Sequence, residues 1–293
     1  MADHPERDEI TGRYTTGHEW DGIKELNTPL PKWWVWVFYV CIAWSVVYSV
    51  VYPSWPAMAG FFGGVAGWNA RSDLAADLDA AREARSEWLT QIAAKDVSEV
   101  LEDDTLRRYA MRGGEVLFKE NCAPCHQTGG AGARGYPTLA DDEWLWGGTP
   151  DAILTTIRYG IRDQDNDETR FSEMTAFGEW ELLTPEQIEA VASFVFALSN
   201  GEAPEEGEGY DIFVQQCSAC HSAVPGTADG EGNQMLGGPP LNNRIFLYGG
   251  TQEDIASQVF KPTHGVMPPW ENRLSDEEIK QLAVYVHSLG GGE

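Results

Sequence analysis

The chain's polarity changes sharply at residue 33. Residues 33–52, WWVWVFYVCIAWSVVYSVVY, pass without one formal charge. A helix of about 20 residues rises about 30 Å, the thickness of a bilayer's hydrocarbon core. Trp33, Trp34 and Trp36 crowd one end and Tyr48, Tyr52 and Trp55 the other, as expected for rings at the two membrane interfaces. Pro53 and Pro56 stop the helix. A buried core helix is the competing reading, but such helices are generally shorter. The pattern therefore predicts a membrane anchor over 33–52. Arg13, Lys24 and Lys32 precede it, and the first basic residue after it is Arg71. The positive-inside rule then puts residues 1–32 in the cytoplasm and the rest outside. With no basic leader or cleavage site, the span reads as an uncleaved anchor. The apolar stretch 58–68 is too short and too glycine-rich to span, and reads as a surface-lying or packed loop.

From Ser72 to about Val100, the positions Leu74, Leu78, Ala81, Trp88 and Ile92 keep one helical face. This predicts one long spacer helix, N-capped by Ser72, within a connecting region 53–104. Beyond it the pattern repeats, in units 105–200 and 201–293. WGGTPDAI (146–153) matches YGGTQEDI (248–255), and WELLTPEQI (180–188) echoes WENRLSDEEI (270–279). Thr184 with Gln187 and Ser275 with Glu278 are capping boxes, each opening a C-terminal helix. NGEAPEEGEG (200–209) links the units. Each unit is small for a core built from protein alone, and a large apolar group at its centre would help.

Composition narrows the partners. Twenty Lys and Arg against 46 Asp and Glu give a net charge of −26, which repels nucleic acid and suits a cationic protein partner or simple solubility. Of the five cysteines, Cys41 lies in the apolar run and the other four fall into two compact motifs.

Those motifs are CAPCH (122–126) and CSACH (217–221). C-x-x-C-H is the signature of covalent c-type haem attachment. Two sulfurs, spaced by one turn, form thioethers with the porphyrin's vinyl groups, and the next residue, His, stands under the iron. Zinc is the rival, but paired C-x-x-C motifs of zinc sites usually lie about 15–20 residues apart, and zinc does not need His126 or His221 in that place. A thioredoxin-like pair would need a βαβ context. The motifs therefore predict two covalently bound haem c groups, held by Cys122, Cys125, Cys217 and Cys220.

A second axial ligand is expected for each iron. Met174 and Met267 both precede the Trp-Glu and capped helix of their repeat, so position pairs Met174 with His126 and Met267 with His221. Thioether ligation stabilises the ferrous form. Met235 competes for the second haem and Met111 weakly for the first; His264, three residues before Met267, is an alternative ligand or a surface or propionate-bonding histidine. His287 reads as packing. Two His/Met irons leave no open position for substrate, which favours electron transfer over oxygen chemistry, and no catalytic site is legible. The acidic run DQDNDETR (163–170) starts like a calcium loop but has Glu168 where glycine is needed, and reads as a solvated loop.

Over nearly its whole length the chain resembles the dihaem subunit III of the cbb3-type cytochrome c oxidases. HEWDGIKELNTPLPKWW (18–34) looks like that family's signature before its anchor, and GGAGARGYPTLADDEWLWGG (129–148) like the segment after its first haem motif. The family's usual M-P-A-F is here Met174-Thr175-Ala176-Phe177, which loosens the ligand loop without removing the ligand. The resemblance implies an all-α architecture, with one N-terminal transmembrane helix followed by two tandem class-I cytochrome c domains. It implies a place in a bacterial inner membrane with the haem domains periplasmic. Electrons from a donor cytochrome c would pass to the monohaem subunit and the haem–copper catalytic subunit, where oxygen is reduced and protons are pumped. His126, Met174, His221 and Met267 would be the axial ligands. The alternatives are a free-standing anchored dihaem shuttle, a dehydrogenase's cytochrome subunit, which usually has three haem motifs, and a dihaem peroxidase, which needs one five-coordinate iron.

Overall fold

A computed structural model describes residues 5–291 as a mostly helical chain in two compact units, divided near residue 83.

The first unit opens with an antiparallel hairpin, β1 (Thr15–Trp20) and β2 (Ile23–Leu26), turned by Asp21 and Gly22, both at positive φ. The sequence gives little sign of this hairpin, because TTGHEW lacks the apolar alternation of a half-buried strand. Helix α1 (Lys32–Val51) follows, bounded by Pro31 and by extended Tyr52, and none of its residues is buried. Its exposed apolar side chains include Trp36, Val40, Trp44 and Val47. Water is a poor solvent for such a surface, and a bilayer is a good one. Ser45 and Ser49 donate their hydroxyls to the carbonyls four residues back, which satisfies them inside an apolar helix. A two-residue hairpin, β3 (Pro56–Ala57) and β4 (Gly60–Phe61), turns the chain back. Gly64 then lies against the end of α1, where a Cβ would meet the Val51 carbonyl at 2.3 Å.

Helix α2 (Ala70–Ala93) begins three residues earlier than expected, because Asn69 Oδ1, not Ser72, accepts from the free N–H groups of Arg71 and Ser72. The single spacer helix is in fact two. Asp96 and Glu99 form a capping box that starts α3 (Val97–Glu102) anew. Asp103 accepts from Thr105 N and Leu106 N and opens α4 (Asp104–Asn121), which runs into α5 (Ala123–His126). α6 (Pro150–Tyr159) is capped by Thr149. α7 (Pro185–Ser199) is capped by Thr184 with the expected box. The second repeat supplies α8 (Glu208–Ile212), a π-type turn through Phe213–Cys217, and α9 (Ser218–His221). α10 (Gln252–Phe260) is capped by Thr251, and α11 (Asp276–His287) by Ser275 with its expected box.

Packing crosses between the repeats. α11 of the second repeat packs on α4 and α6 of the first, and α7 of the first packs on α8 and α10 of the second. One core joins Leu106, Phe118 and Ile157 to Leu282 and Val284. The other joins Val191 and Phe194 to Phe213, Ile255 and Val259. Glycines allow both crossings: a Cβ at Gly114 would meet the Gln281 carbonyl at 2.2 Å, and one at Gly209 the Ala190 carbonyl at 2.3 Å. Each C-terminal helix has thus moved into the other repeat's core, the intrachain form of an element exchange.

Candidate haem sites

The two C-x-x-C-H motifs are built alike. Cys122 and Cys217 are half-buried beside their cores, while Cys125 and Cys220 are exposed, and none is in a disulfide. Burial, with some help from Cys125, pushes the Cys122 thiol up to about 11, and burial with Cys220 pushes Cys217 up to about 12. This is the reverse of the electropositive setting that makes a reactive thiolate. Among the described residues, no three His, Cys, Asp or Glu side chains gather into a site for a bare ion.

Backbone hydrogen bonds fold the loop after each motif in parallel. Gly132 N donates to His126 O and Leu139 N to Gly130 O; correspondingly, Gly232 N donates to His221 O and Leu241 N to Gly230 O. These turns carry a proline carbonyl to each imidazole. His126 Nδ1 lies 3.0 Å from Pro137 O, and His221 Nδ1 2.9 Å from Pro239 O. A carbonyl only accepts, so Nδ1 carries the proton in both rings and the Nε2 lone pair is left for a metal. Burial lowers the pKa of both histidines, with the proline contacts opposing, which favours the neutral, ligating form.

The surrounding residues fit a porphyrin. Glycines keep the approaches close: a Cβ at Gly238 would meet the Cys220 carbonyl at 1.9 Å, and one at Gly132 the Thr138 nitrogen at 2.6 Å. Three buried donors, Trp146 Nε1, Arg158 Nε and Arg170 Nε, have no acceptor among the described residues, and the Arg170 guanidinium lies over the Trp146 ring. Buried donors left without acceptors are costly, and the two carboxylates of a haem would supply acceptors of the right charge.

The methionines do not follow their sequence order. Met267 packs against the core that borders Cys122, and Met174 against the core that borders Cys217. Position along the repeat pairs Met174 with His126 and Met267 with His221, whereas the cores group the methionines the other way. The cause is the exchange of C-terminal helices, since each methionine loop travels with the helix that follows it. The anchoring is symmetric: Trp270 N donates to Arg158 O at the end of α6, and Gly178 N and Glu179 N donate to Phe260 O at the end of α10.

Met235 is 90% exposed, on the surface away from both cores. Met111 lies at the margin of the first core, on α4. His264 Nε2 accepts the backbone N–H of Met174 at 3.0 Å. His287 is half-buried on α11. The 163–170 run closes as a turn, with Asp163 N donating to Thr169 Oγ1 and Glu168 N to Asn166 Oδ1. Sequence reasoning missed Trp146 and Arg162; the acceptors of Arg162 are backbone carbonyls at Ser172 and Gly265, which leave no side-chain pattern.

Known proteins resemble this chain in sequence along its whole length. Residues 110–195 and 204–286 match the family described as "Cytochrome C oxidase, cbb3-type, subunit III", and residues 12–59 match "N-terminal domain of cytochrome oxidase-cbb3, FixP". The chain is 48% identical over 292 residues to the cbb3-type cytochrome c oxidase subunit CcoP of Azospirillum sp. (strain B510), covering 98% of each chain. It is 46% identical over 298 residues to the subunit FixP of Sinorhizobium medicae (strain WSM419), covering all of both. It is 43% identical over 281 residues to the subunit CcoP of Cereibacter sphaeroides, covering 95% of each.

Proposed function

The chain belongs to the subunit III family of the cbb3-type cytochrome c oxidases, and from that premise we propose how its residues serve this subunit's electron transfer. It is a membrane-anchored electron-transfer subunit bearing haem c. Two haems are bound, one for each motif. Cys122 and Cys125 would hold the first, with His126 Nε2 and Met267 Sδ available to its iron; Cys217 and Cys220 would hold the second, with His221 Nε2 and Met174 Sδ. When bound, each haem c supplies a reversible one-electron iron centre.

The protein's own part is to hold these ligands. The proline carbonyls fix both imidazole tautomers, as carbonyl and carboxylate acceptors do for ligating histidines in other metal sites. The apolar cores border Cys122 and Cys217, and Trp146, Arg158 and Arg170 would offer donors to the haem carboxylates. Thioether ligands favour the reduced state and so raise the potential. Units 105–200 and 201–293 each attach one haem, and each completes its core with the other's last helix.

The partners are the haem–copper catalytic subunit and the monohaem subunit, which receive the electrons, and a donor cytochrome c. The net charge of −26 suits a cationic donor and would speed its encounter more than strengthen its binding. The basic residues flanking α1 support a cytoplasmic N-terminus and periplasmic haem units.

The observation that carries this reading is the matched pair of motifs, each with its imidazole oriented by a proline carbonyl and a methionine from the other repeat in its core. The test is purification in mild detergent with oxygen consumption measured from a reduced cytochrome. Two acid-acetone-resistant c haems per chain, co-purifying with b haem, copper and oxygen reductase activity, are expected. A protein with only c haem that never carries b haem or copper would contradict the oxidase role.

A further inference from the structure

Arg162 donates a side-chain hydrogen bond to each of the two methionine loops. Its Nε donates to Gly265 O at 2.7 Å, two residues before Met267. Its Nη1 donates to Ser172 O at 2.9 Å, two residues before Met174. The backbone locks the same place: Arg162 N donates to Arg170 O, and Ile161 pairs with Met267. His264, from the Met267 loop, completes the tie by accepting Met174 N–H. Arg162 also has φ +54°, a left-handed conformation that residues with a Cβ seldom adopt. Strain of this kind persists where surrounding bonds over-determine it, and it gathers at functional sites.

We propose that Arg162 is a positioning residue that makes the two axial methionine loops one mechanical unit, so that its loss loosens both methionine–iron bonds together. The proposal rests on the reading of Met174 and Met267 as ligands. The planar fork of a guanidinium suits the task, because two divergent N–H groups reach two carbonyls that a single ammonium cannot hold in the same way. Coupling the loops keeps the two sites in step: if one loop shifts, the carbonyl of the other loses its donor.

The test uses the full-length subunit in its oxidase, with Arg162→Lys and Arg162→Gln compared with wild type. Two readouts are taken at each haem: the thioether-to-ferric-iron charge-transfer band, and carbon monoxide binding to the ferrous iron, which requires the methionine to leave. Met174→Ala and Met267→Ala calibrate the band. If neither removes it, the ligand reading itself fails, independently of Arg162. With that reading intact, Arg162→Lys is expected to weaken the band and admit carbon monoxide at both haems, although the charge is kept. A lysine variant with both bands unchanged would show that only charge matters, and would overturn the proposal. So would an effect confined to one haem in either variant. If neither variant assembles, thermal loss of the bands in wild type decides: one shared transition is expected, and two separated transitions overturn the coupling.

Discussion

Ile161 and Met267 exchange both of their backbone hydrogen bonds, Ile161 N donating to Met267 O at 2.9 Å and Met267 N to Ile161 O at 3.0 Å. A residue of the first repeat thereby fixes the methionine of the second. The cores agree, since Met267 borders the cluster containing Phe118 and Ile157. On the proposed reading each haem site would take its methionine from the other repeat, so neither site would be complete until both repeats have folded.

The crossing helices depend on two glycines. Gly114→Ala places a methyl against the Gln281 carbonyl and Tyr285 Cβ, at 2.2 and 2.7 Å before any shift. Alanine's better helix propensity is worth about 1 kcal/mol, but overpacking costs about 1–3 kcal/mol, and here the obstacle is backbone, so the clash wins. A lower thermal midpoint is expected for Gly114→Ala, and likewise for Gly209→Ala. Gly63→Ala, with nothing within 4 Å of its Cβ, should change stability by no more than about 0.5 kcal/mol. Equal midpoints for all three would contradict the close crossing.

Removing the caps should show which core each helix serves. Thr184→Ala and Ser275→Ala each lose a side-chain bond to the third helical N–H, at a cost of about 1 kcal/mol. Hydrogen exchange after Thr184→Ala is expected to rise in α8 and α10 of the second repeat, the partners of α7. Ser275→Ala should raise it in α4 and α6. Increases confined to the mutated repeat would argue against the exchange.

Much of this was written locally. Thr184 with Gln187, Ser275 with Glu278 and both C-x-x-C-H motifs act within five residues or fewer, so their spacing alone declares them. The break between α2 and α3 was also local, in the Asp96–Glu99 box, but the continuing apolar phase masked it. The exchange was not legible. α7 and α11 carry similar apolar faces, and either core would accept either helix by pattern alone. Arg162 shows the same limit, since its acceptors at Ser172 and Gly265 are backbone carbonyls that any residue would supply.

Acid should expose the cap of α4. Backbone N–H groups of Leu106 and Thr105, opposed by slight desolvation and helped by Lys95, hold the Asp103 carboxyl below its usual value of 3.8. A carboxylate lowered on folding contributes stability that is complete above the unfolded value and lost as pH falls through the folded one. Asp103→Asn still caps but does not titrate. The stability gap between wild type and this variant, from denaturant unfolding, should therefore be level above about pH 5 and shrink below about pH 4. A gap that stays level into that acid range would contradict the cap's role.

Met235 is a control for the ligand assignment. At 90% exposure it reaches no core, so Met235→Ala should leave both reduction potentials and both charge-transfer bands as they are. A shifted potential would return it to the set of candidate ligands.

The crossed ligation is tested most directly in a subunit whose second haem attachment is removed by Cys217→Ala and Cys220→Ala, leaving the haem held at Cys122 and Cys125. In that background Met267→His and Met174→His are compared by redox titration. Replacing a thioether by imidazole lowers the potential of the iron it ligates. The crossed arrangement predicts that Met267→His lowers the potential of the remaining haem and that Met174→His leaves it unchanged. The reverse result, a fall with Met174→His and none with Met267→His, would contradict it.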